Sequence, residues 1–214
     1  MSDKRNTLIS KKMSRLLRHQ AEAEGLTIDA AGYVPLNELL AHPLLRSFKT
    51  TEEDVRRVIA ADAKQRYGLK EDNGVVTVCA FQGHSMASVG EVGLEVVAPA
   101  DWPSILIHGT YRDKFKMIQD SGLSRMKRNH IHLASGIPQF LLEKWQGEER
   151  LEEVASGLRK SCNCLIILDI DKMKMLPGIV LYRSENGVYL TPGVDGRIPA
   201  ECFKKVTDQR GISL

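Results

Sequence analysis

Apolar residues recur every three to four positions near the start of the chain. At about 100° per residue, Ile9, Met13, Leu16, Leu17 and Ala21 fall on one arc of a helix. Lys11, Lys12, Arg15, Arg18 and His19 fall on the opposite arc. The pattern predicts an amphipathic helix over 8–24 with a cationic face, stopped at Gly25. A turn follows at 29–32, then a helix over 35–42 with Pro35 in its first turn. A third helix is predicted to start near Thr50 and Thr51 and to run out near Lys64. Thr50 and Glu53 have the spacing of a capping box there. Asn73-Gly74 between two β-prone runs predicts a hairpin that ends at Ala80. Three helices and a hairpin are the layout of a winged helix.

The pattern then changes. Gly90, Gly93, Pro99 and Pro103 interrupt a stretch with few apolar runs, which places a lobe boundary within 88–103. The lobes are drawn as 1–92 and 93–214. In the second, strands are predicted at 105–108, 130–133, 165–170, 179–182 and 187–190, with a turn at 184–187. Alternation in the 130–133 strand puts His130 and His132 on one face. Helices are predicted at 114–121 and 148–158. Short strands with a few helices, and no regular βαβ repeat, give an α+β class.

Composition adds limits. The 214 residues are 43% hydrophobic and 27% charged, which suits a soluble folded chain. The net charge of +3 is too mild to mark a nucleic-acid binder. Its distribution is more telling. Residues 1–20 carry six Lys/Arg against one acid, and residues 111–130 six against two, which suits a polyanion held locally. Residues 141–155 lean acidic. Cys79, Cys162, Cys164 and Cys202 form no Cys-x-x-Cys pair, so neither a zinc site nor a disulfide framework is expected. The polar N-terminus has no leader-like apolar stretch, and no run reaches membrane-spanning length. The expectation is an intracellular monomer of nucleus or cytoplasm, with no membrane partner.

Phosphate-loop, dinucleotide-fold, nucleophile-elbow and zinc-protease signatures are all missing. What remains is a series of short pieces: Leu16-Leu17-Arg18-His19, Gly32-Tyr33-Val34-Pro35-Leu36, Lys64-Gln65-Arg66, Ala80-Phe81-Gln82-Gly83-His84-Ser85, His108-Gly109-Thr110, His130-Ile131-His132-Leu133 and Ser156-Gly157-Leu158-Arg159. Each alone fits surface decoration or a core histidine. In this order and at this spacing they resemble the tRNA 2′-phosphotransferase family, its yeast-like eukaryotic members above all. The likeness spans nearly the whole chain. Tyr67 stands where Phe is common, and Leu158 where Met is common.

The resemblance implies a winged-helix N-lobe and an ADP-ribosyltransferase-like C-lobe, with RNA and NAD+ meeting in the cleft. It implies two steps. The 2′-phosphate of a tRNA splice junction, or of another RNA, attacks the anomeric carbon of the nicotinamide ribose, and nicotinamide leaves. The ribose 2″-hydroxyl then attacks the phosphorus, releasing 2′-hydroxyl RNA and ADP-ribose 1″,2″-cyclic phosphate. Arg18, Arg66 and Arg159 match the family's phosphate-binding arginines, whose planar forks suit a crowded polyanion. His19 is the candidate acid and base of the second step. His108, Gly109, Thr110 and His132 are expected to contact NAD+, and His84 and Ser85 to contact NAD+ or phosphate. No metal is needed. Two other readings stay open: an NAD-dependent ADP-ribosyltransferase acting on nucleic-acid phosphate ends, and a winged-helix RNA-binding protein without activity.

Overall fold

The structure is a computed structural model that describes residues 3–214. The chain divides into two compact units, Met1–Gly93 and Leu94–Leu214. Helices and small open sheets, antiparallel except for one two-stranded parallel pair in the second unit, make up both, so the class is α+β. No helix among the described residues is long and apolar enough to cross a membrane.

The first unit opens with α1 (Asp3–Arg15), which runs into a π-helical turn at Leu16–Gln20. The predicted apolar arc is the buried one: Ile9, Met13, Leu16, Leu17 and Ala21 are all fully buried. Gly25, at φ +74°, ends the helical turns. Next come β1 (Val34–Pro35), α2 (Leu36–Ala41), α3 (Pro43–Arg46), α4 (Glu52–Ala60), β2 (Tyr67–Asp72) and β3 (Val75–Ala80). The short α3 was not expected. Pro43 forces the extended backbone of His42 (φ −61°, ψ 135°), and the His42 side chain accepts from the Leu44 N–H, so a new turn starts there. The strands pair antiparallel in the order β1-β3-β2, with Asn73-Gly74 as the tight turn.

The capping box is displaced by one residue from the expected one. Thr51, not Thr50, accepts from Asp54 N (3.2 Å), and the Asp54 carboxylate reaches back to Thr51 N (3.2 Å). Thr50 is buried, and its hydroxyl donates to Leu45 O at 2.9 Å. The neighbouring helix therefore claims one threonine and leaves the other to cap. The helix ends at Ala60, short of Lys64, because Asp62 folds the chain around its own carboxylate. Tyr67 is buried, and its hydroxyl lies 2.5 Å from Ser14 Oγ and 2.7 Å from Ser10 O. The polar tip that a Phe would lack is thus tied to α1.

The second unit contains β4 (Glu95–Val96), β5 (Ile107–Thr110), α5 (Arg112–Ser121), β6 (Leu123–Ser124), β7 (Ile131–Leu133), β8 (Gly136–Ile137), α6 (Gln139–Leu142), β9 (Glu152–Glu153), β10 (Cys164–Leu168), α7 (Ile170–Lys174), β11 (Tyr182–Arg183), β12 (Tyr189–Thr191), β13 (Arg197–Ile198) and β14 (Phe203–Thr207). One sheet runs β14-β10-β5, with the fully buried β10 in its centre, and another runs β4-β11-β12-β7. An Ile107–Ala134 bridge links β5 to the end of β7.

The helix expected over 148–158 does not form. Glu152 and Glu153 lie extended beside Gly136 and Ile137 in a parallel pair, and Val154 N donates to Ile137 O at 3.1 Å. Leu151 and Leu158 are buried and Val154 packs on the same core, as a helical stripe would be, but from a two-residue strand and the bends that follow it. Gly136 makes the pairing possible, since a Cβ there would sit 2.2 Å from Glu152 O. Only the end of the 179–182 strand is paired, at Tyr182.

Candidate active site

In the first unit the candidates gather around the π turn. A π turn adds a residue to the helical repeat and is frequent at functional sites. Here Ala21 N donates to Leu16 O at 2.9 Å, and the widened turn carries Arg18 and His19. The loop after β3 closes on both. Ser85 N donates to Arg18 O at 2.9 Å, and Ser85 Oγ lies 2.9 Å from His19 Nδ1. Arg18 Nη2 donates to Gln82 Oε1 at 3.4 Å. Arg18 is half-buried and His19 exposed. His84 is buried with its Nε2 edge toward Gly32, where a Cβ would come within 3.0 Å.

Arg66 is held separately. Asp62 accepts from Arg66 N at 2.7 Å and from Arg66 Nη1 at 2.5 Å. Arg66 O accepts from Phe81 N at 2.9 Å, which sets Arg66 one residue away from the loop that begins at Gln82. The guanidinium therefore keeps its orientation through a main-chain clamp and a carboxylate.

In the second unit, β5 and β7 carry the histidines. His108 Nδ1 lies 2.9 Å from His132 O. A carbonyl only accepts, so Nδ1 holds the proton and Nε2 the lone pair of the neutral ring. Burial pushes the His108 pKa down. The bond to the His132 carbonyl opposes this, and the charges of Arg159 and Arg128 add to the lowering. Arg128 Nη1 lies 3.4 Å from His132 Nδ1. Thr110 is buried at the end of β5. Gly109 has a packing role, since a Cβ there would lie 2.8 Å from Leu158 Cδ2 and 3.1 Å from Cys162 Sγ. His130 does not join this group. It is buried in an edge-on contact with Tyr182, ring centroids 5.6 Å apart.

Arg159 is exposed and lies within electrostatic reach of Arg128, His108 and Tyr111. The Tyr111 hydroxyl is 2.8 Å from Ser161 Oγ. Hydrogen bonds from Ser161 and Arg159 lower the Tyr111 pKa. Burial, reinforced by the charge of Arg159, lowers that of Arg128. Neither guanidinium has a carboxylate partner among the described residues. Two cations within electrostatic reach of each other and without a carboxylate would be relaxed by an anionic ligand.

Sequence reasoning missed Arg128, Tyr111, Ser161 and Asp62 as neighbours of the candidate residues, and it singled out the motif of Gln82 without giving that residue a role. The basic run over 111–130 was the available signal for Arg128. Asp62, four residues before Arg66, was visible as an ion-pair spacing. Nothing local marks Tyr111 and Ser161, which meet only through the fold. Among the described residues no group of three or more His, Cys, Asp or Glu could hold a metal ion.

Residues 4–193 match the family model described as RNA 2′-phosphotransferase, Tpt1 / KptA family. The chain is 40% identical over 205 residues to tRNA 2′-phosphotransferase 1 of Danio rerio, covering 94% of this chain and 84% of the relative. It is 37% identical over 209 residues to tRNA 2′-phosphotransferase of Saccharomyces cerevisiae, covering 95% and 84%. Against tRNA 2′-phosphotransferase 1 of Homo sapiens it is 35% identical over 209 residues, covering 96% and 77%. All the candidate residues lie inside these matched spans, and on that footing the chain belongs to the RNA 2′-phosphotransferase family.

Proposed function

We propose that the chain transfers the splice-junction 2′-phosphate of ligated tRNA to NAD+, giving 2′-hydroxyl RNA, ADP-ribose 1″,2″-cyclic phosphate and nicotinamide. Family membership over residues 4–193 carries this reading. The first unit serves as a winged-helix RNA-binding lobe. Its helices, three-stranded sheet and cationic α1 face support that role. The second unit serves as an ADP-ribosyltransferase-like lobe that takes NAD+.

The residues fit the two ligands chemically. Arg18 and Arg66 of the first unit and Arg159 of the second are each assigned to the RNA 2′-phosphate, and Arg128, whose pKa the charge of Arg159 lowers, adds positive charge to the second unit. A 2′-phosphate next to a phosphodiester carries about three negative charges, which paired guanidinium forks match better than ammonium groups. NAD+ supplies an electrophilic ribose carbon and a neighbouring hydroxyl. His108, Thr110 and His132 would hold its nicotinamide end. A His108 ring kept neutral by burial suits a cationic nicotinamide, since a protonated ring would repel it. His19 takes the proton of the attacking hydroxyl and supplies one to the leaving 2′-oxygen. The fixed guanidiniums stabilise the charge that builds up at phosphorus.

The test is an assay on a short RNA with one internal 2′-phosphate, with and without NAD+. Loss of the phosphate only with NAD+, together with the cyclic ADP-ribose phosphate, is the expected result. NAD-dependent label on RNA without phosphate release would mark a transferase of nucleic-acid phosphate ends. RNA binding without any reaction would mark a binding protein.

A further inference from the structure

Contacts from both Ser85 and Gln82 join the loop Gln82 to Ser85 to the π turn, and the proposed chemistry leaves them unused. Ser85 alone makes two of them: its N–H donates to Arg18 O, and its hydroxyl meets His19 Nδ1, each at 2.9 Å. Gln82 makes another, to the Arg18 guanidinium at 3.4 Å. Gln82 is itself buried, so the loop is a firm support. At Gly83, φ is +92° and a Cβ would lie 3.4–3.6 Å from Arg18 Cδ, Nε and Cζ. A side chain there would be strained and would touch the arginine, so glycine lets the Arg18 side chain lie over the loop.

We infer that Ser85 is the positioning residue of His19, orienting its imidazole for the acid–base step, with Gln82 and Gly83 doing the same for Arg18. The inference rests on the function proposed above and deepens it. The physical need is plain. His19 is exposed, and a ring on an open helical turn rotates about two side-chain bonds. One hydrogen bond to Nδ1 restrains the rotation and directs Nε2, on the far side of the ring, away from the loop. The main-chain bond to Arg18 O holds Ser85 still while it does this. Ser85 is thereby assigned to His19 rather than to NAD+ or phosphate.

Ser85→Ala separates the two bonds, because it removes the hydroxyl and keeps the N–H on Arg18 O. Ser85→Thr keeps both. Single-turnover reactions of the full chain on an RNA with one internal 2′-phosphate read the two steps separately. Ser85→Ala should leave NAD-dependent labelling of the RNA within about twofold and the KM for NAD+ unchanged. Phosphate release should slow by roughly 10- to 100-fold, so labelled RNA accumulates. Ser85→Thr should restore release. The ¹⁵N signals of the His19 ring should move in Ser85→Ala and return in Ser85→Thr. Equal slowing of both steps, no slowing, or unmoved ring signals would overturn the inference. Should the native chain fail to release the phosphate, the proposed function falls, and the ring signals still decide whether Ser85 holds His19.

Discussion

Arg66 gives Nη1 to Asp62, and Arg18 gives Nη2 to Gln82, so the first unit fixes each of its candidate cations with a partner of its own. The second unit does the reverse. Arg128 and Arg159 lie close enough for the charge of Arg159 to lower the Arg128 pKa, with no carboxylate on either among the described residues. The first arrangement fixes geometry at the cost of part of the hydrogen-bonding capacity. The second spends some capacity on neutral partners, His132 for Arg128 and Tyr111 for Arg159, and leaves electrostatic repulsion in the fold, which a bound polyanion removes. Orientation and unbalanced charge are therefore supplied by different parts of one chain.

The sharpest way to break this contrast is to remove the cations of the second unit. Arg128→Ala and Arg159→Ala should each lower kcat/KM on a 2′-phosphorylated RNA by roughly 10²- to 10³-fold, while the thermal midpoint holds or rises. A midpoint that falls with activity would mean the arginines hold up the fold. Lysine at either position should restore little of the rate.

The acids of the first unit come next, because two of them divide structure from function. Burial raises the Asp54 pKa, but the Thr51 N–H and the Arg5 and Arg57 guanidiniums outweigh it and hold the carboxyl below its usual range. Asp54→Asn should cost about 1–3 kcal/mol in a denaturant titration, with the activity of the folded fraction unchanged. The native stabilisation from this group is complete above the unfolded carboxyl range and lost as pH falls through the lower folded value. Asp62→Asn should do the opposite. It frees the Arg66 fork, so kcat/KM should drop by roughly tenfold, a modest effect that Arg66→Ala would exceed. If Asp54→Asn lost as much activity per folded molecule as Asp62→Asn, the division would not stand.

The smallest effect is in the pH dependence of stability. His108 has a folded pKa below its unfolded one. As pH falls from neutrality the unfolded chain takes the proton first, so the group's contribution is complete above about pH 6.5 and is lost on the way down to the folded value. His108→Gln should flatten the acid limb of the stability profile. An unchanged limb would show that the ring does not resist protonation in the fold.

Much of this was legible along the chain. The arc from Ile9 to Ala21, the stop at Gly25 and the Asn73-Gly74 hairpin follow local rules of period and turn chemistry, and the strand predicted over 165–170 forms but stops at Leu168, where Asp169 caps α7. Apart from Arg128, the candidate arginines and histidines could be named from their motifs. Their partners could not. Ser85 reaches His19 across 66 positions, and Tyr111 reaches Ser161 across 50. The 148–158 stretch misled for a related reason. Its apolar spacing satisfies a helix, but the main chain of Gly136 and Ile137 offers Glu152 and Glu153 a strand partner.

What the sequence by itself determined is the family, the α+β class and the residue types able to hold a polyanion. Those depend on which side chains are present and on neighbours within a turn or two. The tertiary structure alone decided which threonine caps α4, which segment pairs with β8, which hydroxyl turns His19, and that Arg128 and Arg159 share one field. Each of these is settled by groups far apart in the chain competing for the same hydrogen bond, surface or charge, and only the fold sets their distances.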